Sequence, residues 1–147
     1  MFFPHGPKEE GGFDDEYELR DWLAGSLRLG REGRYRLKEA AGLGVLESGS
    51  LVFFVKNNYV VGLAVVEEKI RDITPQDNQQ NGWDNDEGFK KVIKFFPDSI
   101  WAFPDNRFIP TSRVTRVNDN KGFGQGFTKI DDLSKFLDVL SLLKKTR

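Results

Sequence analysis

The stretch SGSLVFFVKNNYVVGLAVVEE, Ser48 to Glu68, decides how the rest of the chain is read. Two apolar runs, residues 51–55 and 59–66, flank Asn57-Asn58. Both are short for helices and are dominated by β-branched and aromatic residues, so they read as strands. Asparagine tolerates positive φ, and an Asn-Asn pair suits the tight turn of a hairpin. Each strand is apolar on both of its faces, which predicts a hairpin covered on both sides in a sheet or barrel. Gly62 interrupts the second run. A glycine inside a strand predicts a bulge, a sharp bend or the close approach of another backbone or a ligand.

Outward from the hairpin the pattern changes. Residues 1–12 are rich in Gly and Pro and read as a flexible N-terminal segment, with residues 13–147 as one domain. Asp14-Asp15-Glu16 open a helix, because acidic groups suit the positive end of the helix dipole. Leu19, Trp22 and Leu23 form its apolar face, and Gly25 reads as its stop. Residues 35–41 read as a further short helix. Residues 70–90 are polar, hold Trp83, and read as a long loop. Strands are expected at residues 92–96, 100–103, 108–110 and 113–117, with Pro97 and Pro104 ending the first two. Leu133, Phe136, Leu137, Leu140 and Leu143 or Leu142 mark an amphipathic C-terminal helix, opened by Asp131-Asp132 and closed by Lys144-Lys145. The fold class expected is α+β: a small bent β-barrel flanked by helices. The basic ending is compatible with a fragment cut just before a linker.

Composition narrows the function. The 147 residues carry 38% hydrophobic and 31% charged residues, an ordinary globular balance. The formal net charge of -1 argues against a binder that is basic all over, but allows one basic face. With no cysteine, disulfides, thiolate catalysis and zinc–cysteine sites are excluded. The start lacks the pattern of a signal peptide, and no apolar run approaches the ~20 residues that span a bilayer. The expectation is a cytoplasmic protein with no membrane partner, no cofactor and no metal.

The hairpin also resembles a known family. Gly49, Phe53-Phe54, and Val60-Val61-Gly62 followed by Ala64 and Val66 resemble the hairpin of PUA-like domains, especially the EVE and YTH branches. The preceding GLGVLESG and the later VIKFFPDSIWAFP fit the same order, and the resemblance covers roughly residues 35–117. It implies a bent barrel that binds RNA or modified bases in DNA. It also implies a place like the N-terminal specificity module of archaeal McrB-type restriction GTPases. A downstream GTPase and its nuclease would then be partners, and DNA the preferred ligand over RNA.

The candidate site residues follow from side-chain chemistry. Trp83 either stacks a base, with Asn85 and Asp86 reading its edge, or folds back to anchor its loop. Trp101 and Phe103 alternate on a strand and either pack the core or wall a pocket. Arg28, Arg31, Arg34, Arg36 and Lys38 fall within eleven positions, and either grip phosphates or form a solvated surface. GFGQGF lacks the GK[ST] of a phosphate loop and reads as a turn. His5 is the only histidine, in a segment expected to be mobile, so a Ser-His-Asp triad is disfavoured. No catalytic residue is assigned. The reading is a non-catalytic nucleic-acid recognition domain, with a protein-interaction module on the same fold or an RNA-binding domain as alternatives.

Overall fold

The computed structural model describes residues 2–5, 12–38, 43–83, 88–113 and 141. The hairpin forms as its sequence dictates. Strand β3 (Leu51–Lys56) pairs antiparallel with β4 (Tyr59–Asp72). Asn57 and Asn58 both adopt positive φ, 49° and 67°, as the tight turn between right-twisted strands requires. Phe53 and Phe54 point to opposite faces of β3 and both are fully buried, so the hairpin is covered on both sides.

Strand β4 is the longest element of the described residues and organises the sheet. One edge carries β3. The other is zipped to a single interrupted stretch that runs antiparallel along it. That stretch comprises β5 (Lys91–Phe95), β6 (Trp101–Ala102) and β7 (Ile109–Pro110). Between them Phe96 N–H donates to Val65 O (3.0 Å), Phe103 N–H to Val61 O (2.8 Å) and Thr111 N–H to Asn58 O (2.8 Å), so the zipper closes across its gaps. The gaps are short 3-10 turns begun by Pro97 and following Pro104, where proline removes a ladder donor. Bulges in the β3–β4 and β4–β5 registers bend β4 and curl the sheet. Its order is β1-β3-β4-β5-β2, where β1 is Phe2–Pro4 and β2 is Arg34–Leu37.

Gly62 sits where the zipper is tightest. A Cβ built there would meet Trp101 O at 2.7 Å and Leu23 Cδ1 at 2.9 Å. The glycine therefore lets the backbone of β6 and a helix side chain converge on the same point of β4, beside the bulge that the β3 register shows. Helix α1 (Glu16–Trp22) brings Leu23 there. Asp15 caps it, accepting from Glu18 N–H at 2.8 Å. The helix does not stop at Gly25. It widens into a π-helix, Leu23–Gly30, and buries Leu19, Leu23 and Leu27 against the curled sheet. Arg20 Nε donates to Phe103 O (2.9 Å) and ties α1 to the end of β6.

Four local expectations are corrected. Residues 2–5 are not frayed: Phe2–Pro4 pairs parallel with β3, and Phe3 is buried in the core. Residues 34–37 are a strand, not the start of a helix, because Tyr35 and Leu37 alternate with Arg34 and Arg36 and pack against the core. The polar stretch 70–90 is not a structureless loop. It completes β4 and then forms α2 (Pro75–Asn81). Arg113 ends a helical turn from Thr111, where a strand was expected to begin. The C-terminal amphipathic helix, apart from Ser141, and the glycine-rich loop lie outside the described residues.

Two glycine substitutions separate close approach from backbone entropy. Gly62→Ala should destabilise by about 1–3 kcal/mol, the range for forcing a methyl into a packed site. Gly25→Ala, with nothing within 4 Å of its built Cβ, should be neutral or stabilising by up to about 1 kcal/mol. Urea unfolding of both variants checks the contrast.

A candidate nucleic-acid interface

The arginine run is divided by the fold. Arg28 is exposed on the π-helix and Lys38 is exposed beyond β2. Arg31, Arg34 and Arg36 stand together at the junction. The helix ends with Arg31 N–H on Ser26 O (2.7 Å) and Gly33 N–H on Leu27 O (2.7 Å). Glu32 and Gly33 turn the chain with positive φ, 52° and 83°. A Cβ at Gly33 would lie 2.1 Å from Phe95 O, so glycine is what seats this turn on β5. Phe95 N–H donates to Gly33 O (2.8 Å) and locks the start of β2. Because Tyr35 and Leu37 pack against the core, the period-two pleat sends Arg34 and Arg36 to the opposite face.

Helix α2 closes the other side. Thr74 caps it: Thr74 Oγ1 accepts from Asp77 N–H (3.2 Å), and the Asp77 carboxylate accepts from Thr74 N–H (2.7 Å). Arg71, near the end of β4, grips the same carboxylate with two bonds of 2.6 and 2.8 Å. The guanidinium bond, chiefly, holds the Asp77 carboxyl far below the usual carboxylate range. Gly82 ends the helix in the left-handed conformation, and Trp83 N–H returns to Asn78 O (2.9 Å). Trp83 is thereby turned back towards β2, with the Arg36 guanidinium 4.9 Å from its ring centroid. The same guanidinium is 4.6 Å from the Phe89 ring centroid.

Between these walls lies an open cleft of about 520 Å³, lined by Ser26, Gly30, Arg31, Glu32, Arg34, Arg36, Gln80, Asn81 and Trp83. Among the described residues, three arginines face one glutamate there, with Glu32 3.4 Å from Arg34. Asn81 Nδ2 donates to Asp77 O (2.8 Å), which fixes the orientation of its amide. Such a cleft can hold an anion on guanidinium groups and a planar group against indole and amide side chains.

Of the residues singled out in the sequence, Trp83, Arg31, Arg34 and Arg36 are brought together. Arg28 and Lys38 do not line the cleft. Phe103 is 2% exposed, a core residue and no stacking platform. Trp101 packs edge-on against Phe103 (4.9 Å) at β6 and is not among the cleft residues. Asn85 and Asp86 lie outside the described residues. Ser26, Gln80, Asn81 and Phe89 were missed. The capping signature Thr74-Pro75-Gln76-Asp77, closed by Gly82, could have placed Gln80 and Asn81 on a helix. Among the described residues, no group of three His, Asp or Glu side chains could hold a metal, and no helix is long and apolar enough to cross a membrane.

Behind β2 the fold half-buries its only histidine. His5 stacks on Phe3 (4.5 Å) and meets Phe13 edge-on (5.5 Å). Its Nδ1 lies 3.3 Å from Val55 O, and a carbonyl can only accept, so Nδ1 carries the proton. Nε2 then accepts from the Tyr35 hydroxyl (2.8 Å). Burial pushes the His5 pKa down to about 4 and the Tyr35 phenol up. The expected mobile histidine is instead a neutral structural bond behind the arginine strand.

No family model and no curated protein matches the chain. Solved structures do. The chain is similar to ASCH from Zymomonas mobilis, with a TM-score of 0.52 at 12% identity over 83% of this chain and 90% of that one. A serine-to-alanine variant of the same protein gives a TM-score of 0.52 at 13% identity over 96% and 94%. Identities this low speak to the fold alone. The fold is α+β, a curled antiparallel sheet forming a half-barrel flanked by helices, and its ASCH neighbours are PUA-like.

The half-buried histidine gives a test at neutral to mildly acidic pH. The unfolded chain protonates His5 near its ordinary 6.5, the folded chain only near 4. Stability from this site is complete above pH ~6.5 and falls by up to ~1.4 kcal/mol per unit as pH drops towards ~4. Since no other histidine exists, thermal midpoints measured from pH 7 to pH 5 should fall in the parent and stay flatter in His5→Gln.

Proposed function

We propose that this chain is a non-catalytic nucleic-acid recognition domain that receives an unpaired nucleotide in the arginine cleft. The carrying observation is the convergence of Arg31, Arg34 and Trp83 on one open cleft from three separate elements. Arg31 and Arg34 supply charge-assisted donors for phosphate. Trp83 supplies a stacking face, and Gln80 and Asn81 supply amides for a base edge. The PUA-like fold supports the same reading, since PUA-like domains as a group bind RNA or modified DNA bases. A binding role rather than catalysis is favoured by the cleft's makeup: among the described residues that line it there is no histidine, and the one carboxylate, Glu32, lies beside Arg34. The narrower form, modified-base recognition in DNA for a McrB-type restriction system with an EVE- or YTH-like module, rests on the hairpin motif alone.

The test is binding of short single strands and duplexes of RNA and DNA, with and without base methylation, at ~50 and ~200 mM salt. Single strands should bind in preference to duplexes. Trp83→Ala should weaken binding roughly 5- to 150-fold, the equivalent of one stacked base. Arg34→Ala should lower the slope of log affinity against log salt by about 0.7 if it removes one phosphate contact from a single strand. Absence of binding to every probe at the lower salt would refute the reading.

A further inference from the structure

The wall that carries Trp83 has little apolar anchorage of its own. Helix α2 has seven residues and none of them is buried. A helix this short is not stable by itself in water, and most helices in proteins are held by a packed apolar face. This one has a capping box, the Arg71–Asp77 pair and the backbone bond from Ile73 N–H to Lys90 O (2.8 Å). Those contacts fix its first turn. At its far end, the Arg36 guanidinium lies over the Trp83 ring and touches Phe89 as well. Trp83 directly precedes residues 84–87, and Phe89 follows them just after Gly88. One guanidinium from β2 therefore bridges both stems of that segment.

We propose that Arg36 is a positioning residue. It clamps Trp83 and Phe89 onto the outer face of β2 and so sets the indole that receives the base. A guanidinium stacks flat on aromatic rings in a way that the compact ammonium of lysine does not, so shape matters here beyond charge. Arg71 and Asp77 do the same work at the other end of α2. This assignment differs from the expectation that all five cations of the run grip phosphate. Arg36 contributes through Trp83, whereas Arg31 and Arg34 meet the ligand. Its consequence for binding rests on the proposed function, but the clamp itself does not.

The experiment uses the full chain with Trp22→Phe and Trp101→Phe, which leaves Trp83 as the sole tryptophan. Acrylamide quenching of its emission is measured with and without Arg36→Lys, and separately with Phe89→Leu, which changes no charge. Both variants should raise the quenching constant about twofold or more while the thermal midpoint of the remaining fold stays close to the parent's. Both should weaken single-strand binding severalfold with the salt slope unchanged. If Arg36→Lys leaves quenching unaltered, or weakens binding only by lowering the salt slope, the positioning role is refuted. Unaltered quenching in Phe89→Leu would also refute the clamp. If quenching rises as expected but the parent binds no oligonucleotide, the clamp stands and the nucleic-acid reading fails.

Discussion

The close approach at Gly62 is the constraint on which the molecule depends. Strand β4 must accept β3 on one edge, β6 on the other, and Leu23 from the helix above, all within one residue's width. A side chain at that position would hold β6 off β4 by a steric contact with a backbone oxygen, which cannot rotate away. With glycine there, one long strand serves as the spine of the half-barrel. Its bulged second half then turns to pair with β5, and through β5 with β2.

That geometry makes the cleft. The spine delivers Arg71 to the base of α2, while β5 holds β2 in a register that places Tyr35 inwards and Arg34 and Arg36 outwards. The inner side of the same strand is locked by the His5–Tyr35 bond. Core and cleft are thus two faces of four residues, with neutral aromatic packing behind and guanidinium groups in front. A net charge of -1 is no obstacle to an anion site built this way, because the field at a cleft depends on which charges line it.

The parts legible in sequence were those set by neighbours along the chain. The Asn57-Asn58 turn, the double-sided burial of Phe53 and Phe54, the cap at Asp15 and the breaks at Pro97 and Pro104 are all local. Gly62 announced a close approach, though not which elements would meet there. Arg34–Leu37 was misread because its two-residue alternation is only four residues long and was absorbed into a longer basic run. The Thr74–Asp77 box was present but hidden in a polar stretch. The meeting of Arg36 with Trp83 had no local signal, since it arises only once β2 pairs with β5 and α2 folds back. Phe2–Pro4 was equally illegible: a parallel strand with one partner, it owes its order to β3.

The three tryptophans of the chain report on three places: Trp22 beside Tyr35 in the aromatic cluster, Trp101 on β6, and Trp83 on the cleft wall. The most direct test follows their indole N–H signals by NMR as a short single-stranded oligonucleotide is added at low salt. The account predicts that the Trp83 signal shifts most and saturably, while the Trp101 signal stays in place. A shift centred on Trp101, or no shift at any of the three, would contradict it.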